Sequence, residues 1–210
     1  VTSPLPSRRR PLRVVAALAA AAALVLSGCT SNPLAEQYRS GSGQGYISGD
    51  GAYTVIAPED RGEPISWEAA PLDEGGTLSS DDLAGQVYVV NFWYASCPPC
   101  RVEAPDLEAL YQEFADEQGG AGVPFVGVNI RDSAAQSLAF AEEFGISYPS
   151  ILDVDSGAVR LAFAGQVSPT AVPTTLVVDA QGRVAARISG LVSEPSTLRA
   201  MITDTLAESS

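Results

Sequence analysis

The sequence predicts an α/β fold: a central mixed β-sheet flanked by helices, with a β extension at its N-terminal side. Residues 87–93 form a nearly continuous apolar run, as expected of a strand buried on both faces. Short apolar runs then alternate with stretches of helical periodicity, the pattern of β-α-β units. Two late strand-like runs flank Asp179-Ala180-Gln181-Gly182, a hairpin signal that adds antiparallel pairing to the same sheet.

In chain order, residues 53–56 and 65–68 alternate like short strands and supply the extension. Residues 77–85 read as a turn holding a short capped segment. After the run at 87–93 the pattern turns helical over 97–118. Leu107, Leu110, Tyr111 and Phe114 recur there at helical spacing, and Gly119-Gly120 is the stop. Residues 124–128 form a second buried strand. Asp132-Ser133 caps a helix over 134–144, which Gly145 closes. Residues 151–152 give a short strand, and 159–164 one or two helical turns. Strands at 174–178 and 184–188 make the hairpin, and 194–207 is a final amphipathic helix. No internal repeat and no second catalytic domain is visible.

At 210 residues the chain is long enough for one domain with a real core and a terminal segment. Net charge is −13, unevenly spread. Four of the 12 arginines lie in the first 28 residues, which hold no acid. The rest sets 8 arginines against 25 acids, a net −17. Such a surface repels nucleic acid, so no nucleic-acid partner is expected. The acidity reads as solubility and suggests a monomer. There is no His and no Lys. That removes imidazole metal sites, a Cys-His nucleophile pair, a His haem ligand and Schiff-base chemistry.

Residues 1–13 are basic and hold Pro4, Pro6 and Pro11. Residues 14–26 are a 13-residue Ala/Val/Leu run, short for a membrane span and of the length of a signal-peptide h-region. Leu26-Ser27-Gly28-Cys29 resembles the bacterial lipobox. That implies cleavage before Cys29, with lipid on its sulfur and its new amino group. A short uncleaved anchor and a plain secretory signal are the alternatives. The stretch 7–13 is also similar to a twin-arginine export signal, with Pro11 in place of the usual large apolar residue. Residues 30–52, rich in Ser, Gly, Asn and Gln, read as a flexible tether. The expected organisation is a signal peptide over 1–28, a lipid-anchored tether over 29–52 and one folded domain over 53–210. The product would be held at the extracytoplasmic face of the cell membrane.

Cys97-Pro98-Pro99-Cys100 begins where the strand at 87–93 hands over to the helix. Cys97 therefore sits at a helix N-terminus, where unpaired N–H groups and the helix dipole favour a thiolate. With a second sulfur three residues on, the expected chemistry is dithiol–disulfide exchange. A bridge closing so short a loop restricts the unfolded chain little, so its purpose is not stapling. A zinc ribbon would need further Cys or His ligands, and none remain. No metal is expected, and no cofactor beyond the redox-active pair itself.

Several motifs stand together: Asn91-Phe92-Trp93 before the pair, Cys97-Pro98-Pro99-Cys100, Glu103 with Pro105 just after, and Val172-Pro173-Thr174-Thr175 before a strand. Taken together they resemble the thioredoxin superfamily, specifically the TlpA/ResA-like membrane-anchored thiol–disulfide oxidoreductases, over roughly residues 53–207. The resemblance implies a thioredoxin-like fold, with Cys97 the attacking thiol, exposed at the helix start, and Cys100 the resolving thiol one turn further in. Pro98 and Pro99 fix φ in the first turn, where the missing N–H groups had no helical partner anyway. Pro173 resembles the superfamily's cis-proline, which turns the Val172 backbone toward the thiols to hydrogen-bond a substrate strand. Trp93 and Tyr94 are placed beside the pair, as core, rim or substrate contacts. Val172, Trp93, Tyr94, Pro98 and Pro99 are thus the candidate substrate-binding residues. One departure concerns Ser96, where many relatives carry a Trp. A bulky lid over the sulfurs is then missing, which bears on partner preference.

Asn91 lies six residues before Cys97, where many cytoplasmic thioredoxins carry a buried Asp that manages protons. An amide cannot titrate in this range. Glu103 lies three residues after Cys100, one neighbour step on a helix, and TlpA/ResA-like proteins carry a Glu at this offset. The expectation is a partly buried Glu103 with a raised pKa that exchanges a proton with Cys100. A solvated helix Glu is the alternative.

The resemblance points first to an extracytoplasmic disulfide reductase, recharged by an integral-membrane thiol electron donor. It would act on apocytochrome c before haem attachment, or on similar exported disulfide substrates. The second reading is an exported oxidase that forms bonds in secreted proteins. No His or Lys separates the cysteines, so thiolate stabilisation rests on the helix end, which disfavours a very strong oxidant. A peroxiredoxin-type peroxidase typically places a Thr three residues before its reactive Cys, where Tyr94 stands. A related copper-delivery protein would need Cys-x-x-x-Cys and a His, and the chain has neither. A non-catalytic lipoprotein would not need the pair.

Overall fold

The computed structural model describes residues 52–117, 122–166 and 171–208. The expected signal peptide, the Cys29 anchor, nearly all of the tether and the Gly119-Gly120 stop lie outside the described residues. In chain order the elements are β1 (Ala52–Val55), β2 (Ala70–Pro71), β3 (Thr77–Leu78), a 3-10 turn (Ser80–Leu83), β4 (Tyr88–Trp93) and α1 (Pro98–Glu117). There follow β5 (Phe125–Asn129), α2 (Ala134–Phe144), β6 (Ser150–Leu152), α3 (Ala158–Ala162), β7 (Thr174–Val178), β8 (Val184–Ser189) and α4 (Pro195–Glu208). Among the described residues no helix is long and apolar enough to cross a membrane.

Six strands form one sheet in the order β1-β8-β7-β4-β5-β6. β4, β5 and β6 run parallel, while β7, β8 and β1 add antiparallel pairs, so the sheet is mixed. Central β4 is buried along its whole length, which is why its sequence is apolar without alternation. Its faces serve two cores. Val89 joins Leu107, Leu110 and Phe114 of α1 and Leu198 and Ile202 of α4. Val90 and Phe92 join Val128, Phe140, Phe163, Leu176 and both cysteines of the 97–100 pair. The Cys97–Cys100 motif thus grows out of a central, fully buried strand, which fixes where it points.

Local signals set the boundaries of α2. Ser133 Oγ accepts the Gln136 N–H at 3.4 Å, Gln136 Oε1 accepts the Ser133 N–H at 3.1 Å, and Gly145 ends the helix at φ +70°. Gly127 in β5 is required by close approach. A Cβ there would lie 2.2 Å from Ser150 Oγ and 2.8 Å from Trp93 Nε1.

Residues 65–68 are not a strand, contrary to their alternation. Trp67 is tied to the chain opposite at one point, its N–H to Ser80 Oγ and its carbonyl from the Ser80 N–H. Its ring packs on Tyr88 and Phe163. The alternation reflects docking onto the core, not a ladder. The paired parts of the extension are β1, which joins the main sheet beside β8, and the β2–β3 hairpin, in register Ala70↔Leu78 and Pro71↔Thr77. Asp73 in its turn accepts the Ser137 hydroxyl and the Ser150 N–H, and so pins the hairpin to α2 and β6. At the other end, Asp179 opens the β7–β8 turn and pairs with Arg61 and Arg183, at 3.0 and 2.8 Å. Arg61 reaches on to Glu208 of α4, joining the extension, the hairpin and the last helix. A buried charge needs such partners.

Candidate active site

β4 ends at Trp93, and the loop Tyr94-Ala95-Ser96 carries the chain to Pro98, the first residue of α1. The loop is tightly held. The Cys97 N–H donates to the Tyr94 carbonyl at 3.1 Å, and the Ala95 N–H donates to the buried Asp132 carboxylate. Pro98 and Pro99 occupy the first two helical positions, where no intrahelical donor is needed. Pro98 is exposed and Pro99 half-buried. Pro105, inside α1, removes one further helical hydrogen bond, the one to the Arg101 carbonyl.

Cys97 and Cys100 form a disulfide, with Cα atoms 5.3 Å apart. The Cys100 N–H donates to Cys97 Sγ at 3.2 Å, the contact expected of a sulfur at a helix start. Cys97 is not exposed in this state. It is 0% accessible, and Cys100 3%. The reason is packing: Cys97 belongs to the buried apolar cluster that also holds Val172, Val159 and Phe163. Val172–Pro173 is a cis peptide bond, immediately before β7. Val172 itself is fully buried, in the same cluster as the pair.

Of the other candidate substrate contacts, Trp93 belongs to the core. Its ring packs at a tilt on Phe140, centroids 4.3 Å apart, and does not face solvent. The Tyr94 ring is also buried, and the Arg131 guanidinium lies 4.0 Å from its centroid. Strand alternation cannot reveal this, because β4 is covered on both faces.

Glu103 is 1% exposed, more deeply buried than its helix position alone suggested. Its Oε1 accepts Asn91 Nδ2 at 3.0 Å and its Oε2 accepts the Val192 N–H at 2.8 Å. Asn91 Nδ2 also donates to Thr175 Oγ1 at 3.0 Å. Burial pushes the Glu103 pKa from 4.5 up to about 8 and the Asp106 charge adds to the rise, while the Val192 and Asn91 hydrogen bonds pull it down. Asn91 and Cys100 line one small cavity, about 10 Å³, with Trp93, Tyr148 and Ser150. Burial, and then the Glu103 and Glu108 charges, raise the Tyr148 hydroxyl far above its ordinary value, so it stays neutral. Glu103 is therefore a neutral-range acid whose amide partner lines the same cavity as Cys100.

Three members of this site were not singled out from sequence. Thr175 belongs to the Val172-Pro173-Thr174-Thr175 run, which by itself assigns it no role. Val192 acts through its backbone, for which sequence carries no signal. Asp132 read as a helix cap but instead orders the cysteine loop, while Ser133 is the cap. Among the described residues no group of three or more His, Cys, Asp or Glu could hold a metal ion.

The chain is similar to known proteins in sequence and in fold. The AhpC/TSA family pattern matches residues 62–187. The thiol:disulfide interchange protein HelX of Rhodobacter capsulatus is 36% identical over 141 residues, covering 66% of this chain and 68% of HelX. The thiol-disulfide oxidoreductase ResA of Bacillus subtilis is 31% identical over 120 residues, covering 57% of this chain and 62% of ResA. A thiol:disulfide interchange protein of the thioredoxin family from Chlorobium tepidum superposes with a TM-score of 0.61 at 28% identity, over 71% of this chain and 99% of that one. The fold is thioredoxin-like.

Proposed function

We propose, for a chain that belongs to the AhpC/TSA family and is a thiol–disulfide oxidoreductase, that it works as an extracytoplasmic disulfide reductase. The observation that carries the direction is the setting of the two sulfurs. Two prolines, and no charged residue, separate the cysteines. The titratable group built in behind Cys100 is an acid, Glu103. Strong oxidants owe their potential to a stabilised reduced form. Here the thiolates gain little beyond one peptide N–H and the helix end, so the oxidised pair is favoured and the reduced pair gives up electrons readily.

In the reductive cycle the Cys97 thiolate attacks a substrate disulfide. A Cys97–substrate disulfide forms, and the first substrate sulfur leaves as a thiolate that takes up a proton. Cys100 then loses its proton and attacks Cys97 Sγ, closing the 97–100 bridge and releasing the second substrate thiol. Two electrons pass to the substrate. The ionised form of Glu103, the minor form at pH 7 given a pKa of about 8, is the proposed proton acceptor for Cys100, acting across the cavity that Asn91 and Cys100 line. Its pKa near 8 is close to that of a free thiol, so the transfer is nearly level in energy. Pro173 and Val172 are proposed to present backbone to a substrate strand, beside Pro98 and Pro99 at the helix start. Exported proteins with Cys pairs, apocytochrome c among them, are the proposed substrates. An integral-membrane dithiol donor would restore the pair, and a lipid on Cys29 would keep the domain, as a monomer, near that donor.

The test is the reduction potential of the Cys97–Cys100 pair in thiol–disulfide buffers. A value near or below about −250 mV supports the reductase; one between about −120 and −180 mV makes the chain an oxidase or isomerase instead.

A further inference from the structure

Among the described residues, one arginine beside the cysteine loop has no carboxylate partner. Seven arginines are described. Arg61, Arg101, Arg160, Arg183 and Arg199 each pair with a carboxylate, and Arg187 donates to the Gln166 carbonyl. Arg131 is exposed and, among the described residues, has no carboxylate partner, in a chain that holds 25 acids. Its guanidinium lies over the Tyr94 ring, 4.0 Å from the centroid, three residues before Cys97.

The position is built. The Arg131 and Asp132 N–H groups both donate to Asn129 Oδ1, at 3.0 and 2.8 Å. The Ile130 N–H donates to the Trp93 carbonyl at 3.1 Å. Asp132, the nearest acid in sequence, turns inward. Its Oδ2 accepts Asn129 Nδ2 at 2.9 Å and the Ala95 N–H, and it makes no ion pair with Arg131. Residues 129–132 are thereby stitched to 93–95, and the Tyr94 carbonyl in turn holds the Cys97 N–H. A guanidinium stacked on a ring keeps its N–H edges free, and that fork matches a carboxylate.

We propose that Arg131 is a specificity-determining residue for disulfide exchange: it holds a carboxylate of the substrate polypeptide next to the reacting disulfide. This rests on the oxidoreductase reading of Cys97. The chain beyond residue 28 carries −17, which disfavours acidic partners at a distance. A fixed, unpaired Arg beside the site reverses that sign locally. It selects an acidic residue near the substrate cysteine and rejects a basic one.

The test uses the full chain, reduced, and three peptide disulfides that differ only in one residue beside a cysteine: Glu, Gln or Lys. Wild type is expected to reduce the Glu peptide about five-fold faster than the Gln peptide at low salt, with the preference fading as salt rises. Arg131→Gln erases the preference and leaves the Gln-peptide rate unchanged. Arg131→Glu moves the preference to the Lys peptide. The pH profile of Cys97 alkylation by iodoacetamide stays that of wild type in both variants. Equal wild-type rates on the three peptides overturn the proposal. So does an equal loss on all three in Arg131→Gln with a shifted alkylation profile, which would assign the Arg to the thiol and not to substrate. If wild type reduces none of them, the oxidoreductase reading itself falls.

Discussion

Replacing Glu103 by Gln takes a titrating charge out of the core at almost constant volume. In wild type, burial pushes this carboxyl from 4.5 up to about 8 against the pull of Val192 and Asn91. Each pH unit of that gap is about 1.4 kcal/mol, so ionising Glu103 in the folded chain costs about 5 kcal/mol more than in the unfolded one. Between pH 4.5 and about 8 the folded chain holds the proton and the unfolded chain has lost it. The stabilisation from this group is therefore complete below the lower value, declines with rising pH and is gone above the upper one. Gln carries no such slope. It also keeps its partners: its Oε1 takes the Val192 N–H, and a flipped Asn91 amide offers Oδ1 to the new Nε2 and to the Thr175 hydroxyl. Urea unfolding of the oxidised proteins, in steps from pH 5 to pH 9, reads the difference directly. Glu103→Gln should gain about 4 kcal/mol on wild type across that range. Two stability curves that stay parallel would refute a raised carboxyl at this position.

Cys100→Ser, mixed with a peptide disulfide, should accumulate an adduct on Cys97 with one thiol released, and Cys97→Ser should form none; mass spectrometry checks both, and an adduct on the Cys97 variant would reverse the assignment. Asp132→Ala leaves the Ala95 N–H and Asn129 Nδ2 without their acceptor. It should cost about 2–4 kcal/mol in denaturant unfolding and speed Cys97 alkylation in the reduced protein; a loss under about 0.5 kcal/mol would show that water replaces the carboxylate. Gly127→Ala should destabilise by more than about 2 kcal/mol, because the new methyl meets Ser150 Oγ at 2.2 Å, and Ser150→Ala in the same chain should recover part of that loss. Leu107→Ala empties a fully buried site between α1 and the sheet and should cost about 2–5 kcal/mol; a smaller thermal shift would mean the core collapses into the gap.

Much of the architecture was legible from local chemistry. The cap at Ser133 and the stop at Gly145 bound α2 at the expected residues, because both ends are decided by groups within a turn of the chain. Central β4 was readable because a strand buried on both faces cannot alternate. The segment at 65–68 misled for the converse reason. Alternation reports which side chains are covered, not whether the backbone between them is paired, and Trp67 is covered by Tyr88 and Phe163 without a ladder.

The chemistry of the site divides along the same line. The reactive pair, its place at a helix start and the Glu one turn on were decided by sequence alone, because covalent reactivity and helical spacing are properties of neighbouring residues. Burial belongs to the tertiary structure. It withdraws Cys97 from solvent beside Val172, moves Trp93 into the core against Phe140 and makes Glu103 a neutral-range acid. Each of those outcomes depends on residues that meet across long separations: Val192 lies 89 positions from Glu103, and Thr175 lies 84 from Asn91. A pKa is set by the medium and the partners around a group, and only the folded chain supplies either.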